Sequence, residues 1–456
     1  MRRWVRGVTA GVLAVGLVGA AASTPAGAVP TRSWPVTPAA LGSLYGTVDP
    51  QGISSVRIWG SAIWCYMQPT ADADVTANLA ASLGRDLDAL RDSAGGGTAI
   101  VTIGHPAPWV FDNHPRAVRK TKWWSCGDHA SSVSIPSTAA LKPNRDGSPS
   151  VQAQRWASYV GTVVDFLVAR YQGSIRVELE TWNEPNLSSG LDPSLKVPGA
   201  ARTAKDAALA LYRYESIAHD VIRSRGAQGW ITLGSSAIFT RKNTFSDTYL
   251  RAHASRPRID AVHFNIYGFN AKTPTHAVAD WDKRAAKVHA RLAKYKRLRA
   301  LPTYLTEANL NLVNTNSNRT NLRPAFRTDA EQRRMATSTQ MNAYYRGFRG
   351  VYWLVPWREQ QAAVFLRTHA GNVARDALAV LQSAVQGRTF TGCTSRKSVR
   401  TCTFVASDGG RARVLWRISG ASTVKVSGAS QVVEMTGAVR PAKSRERVTT
   451  TPIVLR

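Results

Sequence analysis

From about residue 50 to 385 the chain alternates short apolar runs with longer amphipathic ones. The short runs lie at 55–59, 99–104, 175–181, 230–235, 261–267, 303–306 and 351–355. Several are rich in β-branched and aromatic residues, which favour strands. Between them the apolar positions recur at helical spacing. Leu79, Leu83, Leu87 and Leu90 share one face, and Trp156, Val160, Val163 and Leu167 another. Leu211, Tyr214, Ala218 and Val221 form a third stripe. Trp281, Ala285, Val288, Leu292 and Tyr295 form a fourth, and Val373, Ala377, Leu381 and Ala384 close the series. Thr328 with Glu331 reads as a capping box that opens a further helix. Repeated strand–helix alternation predicts an α/β fold with a parallel sheet, and the span fits a (β/α)8 TIM barrel over residues 29–386.

Seven strands are clear. The missing one is expected first, within 35–47, where the pattern is weak and the gap to Ser55 is too short for an ordinary helix. Two connections are long. Residues 105–150 carry Trp109, His114, Trp123, Trp124 and Cys126 among Gly, Pro and Ser, and 186–203 is rich in Ser, Pro and Gly. Both follow strands, so both are expected on the face where barrels assemble their sites. After Gln386-Gly387 the pattern becomes short strands at 401–406, 411–418, 423–427, 431–435 and 447–455, with Asp408-Gly409-Gly410 as a hairpin turn. This predicts a small all-β, sandwich-like domain over 387–456, either a support for the barrel or a carbohydrate-binding module.

The N-terminus reads as a secretory leader. Arg2, Arg3 and Arg6 precede an apolar run over 11–22, and Ala26-Gly27-Ala28 fits a small-residue cleavage site. Cleavage after Ala28 would export residues 29–456; the alternative is a retained N-terminal anchor. No later apolar run is long enough to span a bilayer. Four cysteines suit an oxidising compartment. Of the three possible pairings, Cys65–Cys126 and Cys393–Cys402 are favoured, the first by loop placement and the second by proximity. No Cys/His spacing of the metal-binding kind occurs, so no metal and no cofactor is expected. The net charge is +30, or +27 without the three leader arginines. Such a field draws a protein to acidic cell-wall polymers, anionic glycans or lipid headgroups; the alternative is a solubilising surface. Nucleic acid is not the expected partner, because the basic residues are scattered rather than gathered into one reader.

The chemistry concentrates in two places. Trp182-Asn183-Glu184-Pro185 follows the strand-like run at 175–181, and Tyr304-Leu305-Thr306-Glu307 carries a second carboxylate much later. Two carboxylates launched from the C-terminal ends of separate strands are what acid-assisted cleavage of a glycosidic bond requires.

These segments resemble the retaining glycoside hydrolases of clan A. Within it the likeness is greatest to glycoside hydrolase family 39 and its uncharacterised bacterial relatives, over roughly residues 50–360. Val56-Arg57-Ile58-Trp59-Gly60, the run at 261–267 and Tyr352-Trp353 support it. The resemblance implies a secreted glycosidase working by double displacement on a carbohydrate, with Glu184 as acid/base and Glu307 as nucleophile. It implies that Asn183 binds the sugar 2-hydroxyl and that Tyr267 donates to the nucleophile. It also places Arg57 near Glu307; the alternative partner for Arg57 is Glu180 or Glu178. Trp353 or Trp357 would stack on a sugar ring, unless they are core residues, and Trp109 in the long loop is a further binding candidate. Many relatives carry a histidine where this chain has Asn265. Asn265 cannot ionise, so the hydrogen-bond pattern around the sugar is expected to differ, and His263 is expected deeper in the barrel. A catalytically silent glycan-binding barrel and a transglycosidase are the competing readings. Sugar, linkage, exo or endo action and oligomeric state do not follow from these residues.

Overall fold

The computed structural model describes residues 55–94, 97–110, 137–186, 201, 203–239, 243–268, 273–310, 328–353 and 372–456. The leader, the expected first strand within 35–47, Trp357, His114, Trp123, Trp124 and Cys126 lie outside them. Eight strand segments form the barrel sheet: β1 (Ser55–Ile58), β2 (Gly97–Thr102), β3 (Ile175–Glu180), β4 (Ile231–Gly234), β5 (Ile238–Phe239), β6 (Val262–Gly268), β7 (Thr303–Leu310) and β8 (Gly350–Trp353). All neighbouring pairs are parallel. The bridges Asn183–Ala237 and Gly234–Ala261 join the two halves of the sheet, so β4 and β5 share one position. The result is seven consecutive parallel positions. Ser55 Oγ and Tyr352 OH, on the first and last of them, lie 2.9 Å apart. The sheet therefore curls until its described edges touch.

Strands buried on both faces need apolar residues without alternation, as parallel sheets do. β1, β6 and β8 are buried at every position. The helices are α1 (Trp64–Met67), α2 (Val75–Leu79), α3 (Arg85–Ala94), α4 (Val151–Tyr171), α5 (Ala204–Ser224), α6 (Thr244–Ser255), α7 (Pro274–Leu292), α8 (Asp329–Tyr345) and α9 (Val373–Val385). Their starts follow capping chemistry: Ser150, Thr203, Asn243, Thr273 and Thr328 each accept a first-turn N–H. The leucine stripe 79–90 is not one regular helix. A π-helical turn, Ala80–Gly84, separates α2 from α3 and keeps all four leucines buried. Among the described residues no helix is long and apolar enough to cross a membrane.

The C-terminal region is antiparallel. A six-stranded sheet comprises β9 (Arg388–Arg396), β10 (Val399–Ala406), β11 (Arg411–Arg417), β13 (Gln431–Glu434), β14 (Val439–Pro441) and β16 (Ile453–Leu455). A ribbon comprises β12 (Ser422–Lys425) and β15 (Arg445–Val448). β9 was not legible in the pattern because its burial is mostly partial or absent. Cys393 faces Cys402 across β9 and β10 and the two form a disulfide. The stripe Ala377, Leu381 and Ala384 of α9 does not face the barrel. With Met341 and Tyr344 of α8 it packs against Phe404, Val414 and Trp416 of the β sheet. Helix α8 is thus buried on both sides, which explains the polar residues Ser338 and Asn342 in its interior-facing turns: Ser338 Oγ donates to the Thr450 carbonyl, and Asn342 Oδ1 accepts from Trp416 Nε1 at 2.7 Å.

The same seam holds one charge cluster. Asp282 on α7 accepts from Arg346 (2.9 and 2.6 Å) and from Arg400 of β10 (2.9 and 3.0 Å). Arg400 also lies over the Tyr345 ring at 4.1 Å. Burial pushes the Asp282 carboxyl up, but the two guanidiniums outweigh it and hold it below the usual range. A depressed folded value contributes stability above the unfolded pKa of about 3.9, which is lost as pH falls through the folded one. Asp282→Ala is therefore expected to cost about 2–4 kcal/mol at neutral pH by stranding two arginines. Thermal melting of the two proteins from neutral pH down to pH 3 checks this: the difference should shrink in acid.

Candidate functional site

The site begins where β3 ends. The Trp182 carbonyl accepts from Ala237 N at 2.9 Å, and Glu184 N donates back to the Ala237 carbonyl at 2.8 Å. This clamp holds Glu184 at φ 47°, a left-handed conformation. It is disfavoured for any residue with a Cβ, and again for the residue before a proline, at a cost of about 1–3 kcal/mol. Beyond Pro185, Asn186 donates to Ser246 Oγ at 3.0 Å and its carbonyl accepts from Asn243 at 2.7 Å, tying the motif to the start of α6. Trp182 is fully buried between His105 and Tyr214. The Trp-Asn-Glu-Pro segment is fixed at both ends so that Glu184 takes a direction ordinary strand geometry would not give it.

Glu307 is delivered by an irregularity in β7. Phe264 pairs with Leu305 and Asn265 with Glu307, so Thr306 is the extra residue. A bulge lets consecutive residues reach the same neighbour. Thr306 Oγ1 donates to Asn265 Oδ1 at 3.0 Å, and Asn265 Nδ2 donates to Glu307 Oε2 at 3.0 Å. The same Nδ2 lies 2.9 Å from Glu184 Oε1 and 3.2 Å from Asn183 Oδ1. One buried amide therefore contacts both carboxyl groups. Oxygens 2.9 and 3.0 Å from one nitrogen can be no more than 5.9 Å apart.

Burial raises the Glu184 carboxyl, and the negative charge of Glu307 raises it further. Burial also raises Glu307, opposed by Arg57 and by the hydrogen bond from Tyr267. Arg57 and Tyr267 favour the charged form of Glu307, and that charge in turn favours the protonated form of Glu184. Tyr267 is itself driven far up by burial and by Glu307, and stays a donor at all ordinary pH.

Beneath lies a layer of buried charge. Arg57 donates to Glu180 Oε1 at 2.5 Å and to Asn183 Oδ1 at 2.9 Å, and its Nη1 stands 3.7 Å from Glu307 Oε1. Both partners weighed for Arg57 are thus present, with Glu180 the nearer. His263 sits between Glu178 (2.5 Å) and Glu180 (2.9 Å). Burial lowers its pKa, but the two carboxylates prevail and push it up to about 9. Gly234 makes the space: a Cβ there would lie 2.1 Å from the imidazole. Glu178, Glu180 and Thr306 were not singled out as site residues. The available signal was the pair of acids at alternate positions near the end of a short strand whose other face is apolar.

Of the two placements weighed for Trp353, the structure shows the core one. Trp353 is 1% exposed, packed in the core, with its indole N–H on Gln340 Oε1 at 2.9 Å. It is a core residue and not an open platform. Trp109 braces the loop after β2: it packs edge-on to Trp64, donates to the Gln68 carbonyl at 2.8 Å and carries Arg155 over its ring. Trp357 lies outside the described residues, as does Cys126, the expected partner of Cys65. Among the described residues no group of three or more His, Cys, Asp or Glu side chains is arranged to hold a metal ion.

No protein-family model and no curated protein matches the chain. Solved structures do match in fold. A family 39 glycoside hydrolase from the gut symbiont Bacteroides cellulosilyticus WH2 superimposes with a TM-score of 0.54 at 13% identity, covering 92% of this chain and 81% of that one. A glucosidase from Croceicoccus marinus gives a TM-score of 0.51 at 10% identity, covering 90% and 81%. The shared property is the fold: a parallel (β/α) sheet with a C-terminal β region. At such identities nothing further is carried across.

Replacing Glu307 by Gln removes the charge that raises Glu184 while leaving an acceptor for Tyr267. The Glu184 carboxyl is then expected to titrate at lower pH, read by NMR of carboxyl-labelled glutamate. An unchanged titration would show that the two groups do not interact.

Proposed function

We propose that the chain is a retaining glycosidase acting on a polysaccharide or oligosaccharide, with Glu184 as acid/base and Glu307 as nucleophile. One observation carries this reading: a single Asn265 nitrogen touches both carboxyl groups. That spacing suits a retaining pair, set about 5–5.5 Å apart, better than an inverting pair, which needs about 6.5–9.5 Å to admit a water.

In the first step Glu307 attacks the anomeric carbon and the glycosidic C–O bond breaks. The leaving oxygen takes the proton held by Glu184. Ester formation removes the Glu307 charge, so the Glu184 pKa falls and its carboxylate can accept a proton from water. That water attacks the anomeric carbon as the bond from it to the Glu307 oxygen breaks, which frees the sugar, returns the proton to Glu184 and restores the Glu307 carboxylate. Asn183 Oδ1 is occupied by Arg57 and Asn265, which leaves the Asn183 NH2 to donate to a sugar hydroxyl beside the reacting carbon. Arg57 opposes the effect of burial on Glu307 and keeps it anionic in the resting state. The leader and the cysteines support an exported enzyme, and the sugar is left open.

A fluorinated glycoside with a good leaving group should trap the ester, and peptide mapping should find the label on Glu307; label elsewhere would overturn the assignment. Glu184→Ala should lower kcat/KM by about 10²–10⁴-fold for substrates whose leaving group needs protonation. The loss should be much smaller for an activated aryl leaving group, which departs without help. Binding without turnover across an aryl-glycoside panel would instead favour a silent glycan-binding barrel. The pH–rate profile should be bell-shaped, rising as Glu307 ionises and falling as Glu184 loses its proton. Because both carboxyls are raised, both limbs should lie above the ordinary carboxylate range of about 4.

A further inference from the structure

One set of basic residues is already dense along the sequence, and folding adds to it. Residues 283–299 contain eight Lys or Arg and no Asp or Glu. They run along the second half of α7 and the turn that leads into β7. Lys287, Lys294, Lys296 and Arg299 are exposed. Arg297 donates to the Ser255 carbonyl, which brings the end of α6, with exposed Arg251 and Arg256, alongside.

Several surface arginines elsewhere have acidic partners, among them Arg170 with Asp88, Arg225 with Asp165 and Arg258 with Asp220, whereas exposed Arg411, Arg445 and Arg447 of the β region form no such pair among the described residues. Lys287, Lys294, Lys296, Arg299, Arg251 and Arg256 have none among the described residues. The helix dipole does not account for them, because its favourable effect on cations fades beyond the last turn, and Lys294, Lys296 and Arg299 lie past it. A patch that repels itself is relieved by a polyanion.

Its position separates it from the carboxylates. The patch precedes Thr303 at the start of β7, whereas Glu307 stands four residues up the strand, roughly 13 Å further. Its chemistry narrows the partner. The large exposed hydrophobics among the described residues are Tyr66, Val151 and Val439, none of them on this face. Among the described residues this face has no exposed aromatic platform for unstacked bases and no exposed apolar anchor for a bilayer, and Tyr295 within it packs against the core.

We propose that this face binds an acidic polysaccharide, through carboxylate or phosphate groups repeated along its sugar backbone, and holds the protein on the polymer while the opposite end of the barrel stays open. The proposal stands apart from the catalytic reading, since it concerns binding alone. The test is affinity electrophoresis and co-sedimentation of the full chain with polygalacturonate, with a phosphodiester-linked polysaccharide and with double-stranded DNA, at several salt concentrations. The variant Lys287→Glu, Lys294→Glu, Lys296→Glu, Arg299→Glu should bind at least one of the two non-nucleic polymers about tenfold or more weakly near 0.1 M salt, with a shallower salt dependence. The two polymers distinguish carboxylate from phosphate recognition. A control reversing Arg411, Lys425, Arg445 and Arg447, exposed on the β region, should bind as the parent does. The same four patch positions changed to Gln should lose binding with unchanged melting, which excludes misfolding as the cause. Equal losses in patch and control variants, or stronger binding to DNA than to either polymer, would overturn the proposal.

Discussion

Two acidic groups brought this close inside a barrel cannot both be charged without compensation. With the contacting oxygens no more than 5.9 Å apart and an effective dielectric near 20, their mutual repulsion is about 3 kcal/mol or more. The interior is arranged around that constraint. Glu184 escapes it by holding a proton at the partly open rim. Glu307 is kept anionic by a guanidinium on one side and a phenol on the other. Asn265 spans the pair with an amide, which donates to either carboxyl whatever its protonation state and never takes a proton itself. A histidine at that position would add a third titrating group to the pair.

The layer below has the same logic. Arg57 and protonated His263 face the carboxyl groups of Glu178 and Glu180, and all four residues are buried. Neither acid could be removed without leaving a buried cation uncompensated, which is among the most destabilising single changes a core can suffer. The layer fixes where Arg57 points, and therefore how much of its field reaches Glu307. Gly234 belongs to this arrangement although it touches no substrate, because any side chain there would displace the imidazole that sets the balance.

Much of this was legible in the chain. Parallel strands buried on both faces read as short apolar runs, and seven of them were visible. The helical stripes of α4, α5 and α7 bury as their spacing requires. The two carboxylates were legible because acids at strand ends are rare in a barrel unless used. What escaped was non-local. The bulge at Thr306 has no composition of its own; it exists because β6 and β7 fall out of step between Phe264 and Asn265. The π turn in the leucine stripe keeps the residues on one face, so periodicity alone does not reveal it. Trp353 shows the converse: a tryptophan at a strand end suggests a sugar platform, yet a glutamine one element away was enough to draw its N–H inward.

The double burial of α8 bears on how the chain can be divided. One side of that helix belongs to the barrel core through Met335 and Ala336, and the other, through Met341 and Tyr344, to the core shared with the β sheet. A chain cut at the apparent boundary near Gln386 would strip the outer coat from two helices, bare a greasy strip and leave Asp282 with Arg346 alone, since Arg400 lies beyond the cut. Among the described residues the C-terminal sheet is the outer wall of α8 and α9, not a passenger on them, and no clean seam divides the two.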